Sequence, residues 1–86
     1  LPFEIEEVIK QIPEIIDVAA FGIKNEIFGQ VIKLHVVKSK ESNIDKSKIL
    51  IHCMKNLEKF KIPNKIDFVE EIPKTSYGKV KRFMLK

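Results

Sequence analysis

Nine residues, Ile15 to Ile23, make the most apolar stretch of the chain, and only Asp17 and Gly22 interrupt it. The stretch is rich in β-branched side chains and too short for a buried helix, so it reads as a strand. Chain-breaking residues bound it: Pro13 before, and Lys24-Asn25-Glu26 with Gly29 after. A near-continuous apolar run is the pattern of a strand buried on both faces, not of one with a wet side. The expectation is a central strand, around which everything else is arranged.

The flanking segments have clearer periods. Residues 3–11 place Ile5, Val8, Ile9 and Ile12 at i, i+3, i+4, i+7 spacing, the stripe of an amphipathic helix. Glu4, Glu6 and Glu7 crowd its first turn, where carboxylates favour the positive helix end, and Pro13 stops it. Gln30 to Val37 alternates as a second strand, with Ile32, Leu34 and Val36 on one face and Lys33 and His35 on the other. A polar loop, Ser39 to Asn43, leads to a longer helix that Asn43 or Asp45 can cap. It reaches about Glu58 and buries Ile49, Leu50, Cys53 and Leu57, with Phe60 closing its end. Pro63-Asn64 turns the chain into a third strand, Lys65 to Glu70, and Val80, Phe83 and Met84 are spaced for a last helical turn.

The short link between the first two strands favours an antiparallel pair. The long helix can carry the third strand to the far side of the first. The expected fold is α+β: a small two-layer sandwich, with a three-stranded antiparallel sheet of order 2-1-3 packed against helices. One domain, 1–86, accounts for the chain; this size buries roughly 60–65% of the unfolded surface. With 44% hydrophobic and 33% charged residues, the chain is globular rather than disordered. No apolar run approaches the ~20 residues of a membrane span. The single cysteine, Cys53, excludes an internal disulfide and a multi-cysteine metal site, and fits a reducing, cytoplasmic setting. The chain opens at Leu1-Pro2 without methionine and reads as a piece of a longer protein.

The net charge of +4 is unevenly spread: residues 1–43 carry −2 and residues 44–86 carry +6. From Ile72 onward there are five basic residues, Lys74, Lys79, Lys81, Arg82 and Lys86, and no acidic one. Such a field favours an anionic partner without distinguishing ATP, CoA and RNA. Its setting is a constrained turn. Pro73 fixes its own φ and pushes Ile72 toward extended geometry. Thr75 and Ser76 can bond back to the backbone, and Gly78 supplies a position for φ > 0 or close approach. Lys79 follows at once, a mobile point charge suited to phosphate and carboxylate.

Pro73-Lys74-Thr75-x-x-Gly78-Lys79-x-x-Arg82 resembles the last signature motif of the AMP-forming acyl-adenylate ligases. That superfamily includes acyl-CoA synthetases, nonribosomal peptide synthetase adenylation domains and luciferases. The resemblance covers nearly the whole chain. Pro2-x-Glu4-Ile5-Glu6 is similar to the opening of the family's C-terminal domain, and Asp17 to Gly22 to its first core strand. Gly29-Gln30 with Val31 to Val37 is similar to its next turn and strand, and Leu57, Phe60, Lys61 and Pro63 to the end of its long helix. Departures occur at Tyr77, where a small residue is common, and at Met54, where many CoA ligases have an arginine.

The resemblance implies a mobile C-terminal domain of a larger ligase, with a separate N-terminal adenylate-binding domain as its partner. That domain would hold ATP and a carboxylic acid substrate. The first step would join carboxylate to AMP, usually with Mg2+. The second would move the acyl group to CoA or a carrier phosphopantetheine. Lys79 would be the catalytic residue, bridging the substrate carboxylate and the α-phosphate. Pro73, Lys74, Thr75, Gly78 and Arg82 would shape the loop or dock phosphate and the partner domain. The small domain would turn between two poses for the two steps.

Other candidates are weaker. His35 and His52 lack partners at metal-ligand or acid–base spacing, so no metal site is expected. Cys53 faces an apolar stripe without a paired base, and Glu70 and Glu71 read as solvated or docking acids. No glycine-rich phosphate cradle occurs, so the 86 residues alone should bind no nucleotide or cofactor. The alternatives are a small basic nucleic-acid-binding module and a protein-interaction module. Against the first, Phe21, Phe28, Phe60, Phe68 and Phe83 are expected mostly on core faces rather than on one stacking surface.

Overall fold

The structure, a computed structural model, describes residues 2–86. Leu1, the first residue of the expected single domain, lies outside them. In chain order the elements are α1 (Pro2–Ile9), β1 (Ile15–Asn25), β2 (Gly29–Lys38), α2 (Lys46–Asn56) and β3 (Lys65–Phe68). Short 3-10 turns follow at Lys59–Lys61 and Arg82–Met84.

The helical stripe of α1 behaves as its spacing requires: Ile5, Ile9 and Ile12 are buried, and Val8 packs against the core edge. Asp45 caps α2, accepting from the Lys48 N–H at 2.9 Å, while Asn43 takes no part. On α2, Ile49 and Cys53 are buried, Leu57 follows at its C-cap, and Leu50 is only half-buried. Phe60 does not close the helix; it projects from the 3-10 turn, 73% exposed. One cluster holds α1, α2 and a single face of the sheet together, with Leu34, Val36, Ile9 and Ile49 at its centre. That is the α+β layering expected.

The sheet order is not. β1 and β2 form the antiparallel hairpin, with Ala20 opposite Leu34, but β3 lies beside β2 and runs parallel to it, with Ile66 opposite Leu34. The order is β1-β2-β3, a mixed sheet with β2 in the middle, in place of an antiparallel 2-1-3. Two physical reasons account for this. A strand delivered by a helical crossover arrives parallel to the strand it left. The apolar character of β1 on both faces also has a source other than flanking strands. After β3 the chain crosses the sheet to reach the β1 edge, where Lys74 meets Asp17, and Ile72 is buried on the way. Its last residue returns to the same region, the Lys86 carbonyl accepting from Lys33 Nζ at 2.9 Å. Ala19, Phe21 and Val31, on the face away from the helices, are buried outside the main cluster.

The phenylalanines also depart from expectation. Phe21 is buried and Phe68 packs against the core, but Phe28, Phe60 and Phe83 are exposed, each on a turn where the chain has no neighbour to offer. Among the described residues, no helix is long and apolar enough to cross a membrane.

Candidate functional site

The segment from Pro73 to Lys81 is a β-hairpin with a lysine near its tip. Lys74 and Val80 form an antiparallel bridge, and the Lys81 N–H donates to the Pro73 carbonyl at 2.9 Å. At the tip the Gly78 N–H donates to the Thr75 carbonyl (3.0 Å) and the Thr75 N–H to the Lys79 carbonyl (2.8 Å). Gly78 has φ 82°, the left-handed position that closes a three-residue hairpin loop. Thr75 Oγ1 accepts from the Tyr77 and Lys79 amides at 3.2 and 3.1 Å. The sequence motif is therefore a turn specification. Proline sets the base, threonine bonds across the loop, glycine takes the positive φ, and lysine follows with its own amide tied down.

Gly78→Ala is expected to destabilise this hairpin by about 1 kcal/mol through the left-handed backbone alone, because nothing lies within 4 Å of the added Cβ. Hydrogen exchange of the Thr75 and Lys79 amides should accelerate, and Gly78→Asn should recover part of the protection. Unchanged exchange in Gly78→Ala would show that the turn does not depend on this conformation.

The basic residues of the segment have different fates. Lys74 Nζ pairs with Asp17 Oδ2 of β1 at 2.7 Å. Arg82 is held by three contacts: Nη1 donates to Glu6 Oε2 (2.7 Å) and to the Ala20 carbonyl (2.9 Å), and Nη2 lies 3.4 Å from Glu6 Oε1. Glu6 Oε2 also accepts from the Ala20 N–H at 2.9 Å. Lys79 is exposed, and among the described residues no carboxylate pairs with it. A hollow of about 510 Å³ between hairpin and α1 is lined by Phe3, Lys10, Asp17, Lys74, Lys79 and Arg82. Exposed apolar side chains are also found in and around this region, Phe3, Tyr77, Phe83 and Met84, and Tyr77 is 92% exposed. The final turn exists, but its apolar residues do not hold it; Arg82 does.

The sequence reading placed Glu6 among the first-turn acids and in the opening segment similar to the family's C-terminal domain, and gave it no partner. It is the one charged residue buried among those described, at 6% exposure. Its position three residues before Ile9 puts it on the flank of the stripe, but its partner lies 76 residues away.

The remaining polar groups are structural. His52 Nε2 faces the Val8 carbonyl at 2.9 Å and Gln11 Oε1 at 3.1 Å, tying α2 to α1. His35 stacks edge-on against Phe21, with ring centroids 4.9 Å apart. Burial, then the neighbouring Lys33 charge, lowers its pKa below the ordinary imidazole value, against the pull of Asp67. Burial pushes the Cys53 thiol up to about 11, which makes it a poor nucleophile. Lys61 bonds both oxygens of Glu4 at 3.0 Å and joins the 3-10 turn to α1. Among the described residues, no group of three or more His, Cys, Asp or Glu is placed to hold a metal ion.

Comparison with known proteins gives a consistent result. The profile of the AMP-binding enzyme C-terminal domain matches residues 4–79. The 2-succinylbenzoate–CoA ligase of Staphylococcus aureus is 41% identical over 81 residues, 94% of this chain and 16% of that protein. The long-chain-fatty-acid–CoA ligase of Yersinia pestis is 34% identical over 85 residues, 99% of this chain and 15% of its own length. Among solved structures, ATP-bound MatB from Rhodopseudomonas palustris superposes with a TM-score of 0.91 at 33% identity, over 98% of this chain and 17% of that one. The chain thus spans about one-sixth of the length of these relatives. The match over residues 4–79 and the shared fold lead to one conclusion: the chain belongs to the AMP-binding enzyme C-terminal domain family.

Proposed function

We propose that this domain is the C-terminal part of an ATP-dependent, AMP-forming acyl-CoA ligase, and that it delivers Lys79 to acyl-adenylate formation. One observation carries the reading. Lys74 in the hairpin and Arg82 just after it are spent on ion pairs inside the domain, while Lys79, exposed beside the tip, has no carboxylate partner among the described residues. The relatives named above, which are CoA ligases, support the same reading.

In the first step a carboxylate oxygen attacks the α-phosphorus of ATP, the bond to the β-phosphate breaks, and pyrophosphate leaves. Two anions must approach each other, and a cation placed between them lowers the barrier. Lys79 is that cation. Magnesium, when bound with ATP, would neutralise phosphate charge; among the described residues no group of three or more His, Cys, Asp or Glu is placed to hold it. In the second step the thiolate of CoA attacks the acyl carbonyl and AMP leaves, with the domain turned to a second pose. The partner surface is the enzyme's own N-terminal, adenylate-binding domain, which faces the exposed apolar residues around Lys79. A cytoplasmic location suits the single buried thiol.

The test is ATP–pyrophosphate exchange by the full-length protein against a panel of carboxylic acids, followed by CoA-thioester formation with the acid that works. The 86-residue chain assayed alone should give no exchange, because it has no phosphate cradle. Exchange by that chain, or none by the full-length protein with any acid, would overturn the reading.

A further inference from the structure

An isolated two-stranded hairpin is marginal in water, so the direction in which Lys79 points must come from whatever holds the hairpin's two legs. The first leg is held by Lys74 and Asp17, a contact on a long, partly exposed side chain that constrains direction weakly. The second leg ends at Arg82, which is gripped far more firmly. One guanidinium nitrogen bonds both Glu6 and the Ala20 carbonyl, and Glu6 in turn bonds the Ala20 N–H. β1 is an edge strand, and at Ala20 its outward N–H and C=O have no strand beside them. The carboxylate and guanidinium complete the ladder there in place of backbone. Glu6 is itself rigid, because α1 is clamped to the core on either side of it by Ile5 and Ile9.

We propose that Glu6 is a positioning residue for Lys79, acting through Arg82; the catalytic part of this inference rests on the function proposed above. Arg82 lies three positions after Lys79, a reach of at most about 10 Å, so a displaced Arg82 moves the lysine ammonium. Glu6 touches no reacting atom. Its carboxylate registers the hairpin against α1 and the β1 edge, and thereby sets where the ammonium arrives when the domain docks.

Glu6→Gln in the full-length protein tests this, since glutamine keeps one acceptor for the Ala20 N–H and loses the charge that grips Arg82. Adenylate formation should fall about 10- to 100-fold, the scale of a misplacement near 1 Å, mainly in kcat rather than KM. The ratio of adenylation to thioester-forming rate should fall with it. In a Lys79→Ala background the same substitution should lower adenylation no further, because there is no ammonium left to place. An equal loss in both backgrounds, an equal loss in both half-reactions, or no loss overturns the positioning role. Hydrogen exchange reads the clamp independently of activity: the Thr75, Gly78, Lys79 and Lys81 amides should exchange faster in Glu6→Gln, while those of Leu34 and Val36 hold. Unaltered hairpin exchange removes the clamp even in an active ligase. Faster exchange in a protein that activates no acid retains the clamp and overturns the ligase reading instead.

Discussion

Lys79→Ala in the full-length enzyme is expected to cut acyl-adenylate formation by about two to three orders of magnitude, the loss that follows removal of one preorganised donor from a developing negative charge. The domain should fold as before. Lys79 is exposed and bonds through its backbone, so the hairpin's hydrogen bonds survive the loss of its side chain. The denaturation midpoint should barely move. Thioester formation from supplied acyl-adenylate should fall much less, since in the proposed second pose the lysine is carried away from the reacting carbonyl. Both half-reactions need to be measured on one preparation. Equal losses would refute the two poses, and no loss in the first would remove Lys79 from catalysis. Lys79→Arg should rescue only in part: it restores the charge, but a planar fork cannot occupy the place of a compact ammonium.

The largest effect on stability is expected at Leu34. It is wholly buried on the middle strand, opposite Ala20 on one side and Ile66 on the other. Leu34→Ala should cost about 2–5 kcal/mol, from lost transfer energy and the cavity left behind. A domain of this size has only about 4–13 kcal/mol in all, so the variant sits close to unfolding. Ile16→Ala, in the apolar run of β1, should cost less than about 0.5 kcal/mol, because Ile16 is 63% exposed. Chemical denaturation of both variants decides between a sheet centred on β2 and one centred on β1. Comparable losses at the two positions would favour the latter.

Ile16 also shows where local pattern stops being informative. The sequence by itself determined the type and approximate place of both α-helices and all three strands. It also determined the buried stripe of α1, the Asp45 cap and the lysine turn. Each of these is local: a period of two or 3.6, a side chain bonding three residues on, a glycine where φ must be positive. The turn that carries Lys79 was legible for the same reason, since proline, threonine and glycine within six residues leave few conformations for the loop. Only the tertiary structure decided which strand lies in the middle, because an apolar run reports burial and not what does the burying. On β1 part of that work falls to the returning C-terminal segment, which crosses the sheet and buries Ile72. The partnership of Glu6 with Arg82, and the exposure of Phe28, Phe60 and Phe83, were decided there too. An ion pair 76 residues apart and a turn without neighbours leave no period in the chain; they exist only once packing has brought the β1 edge, α1 and the hairpin together.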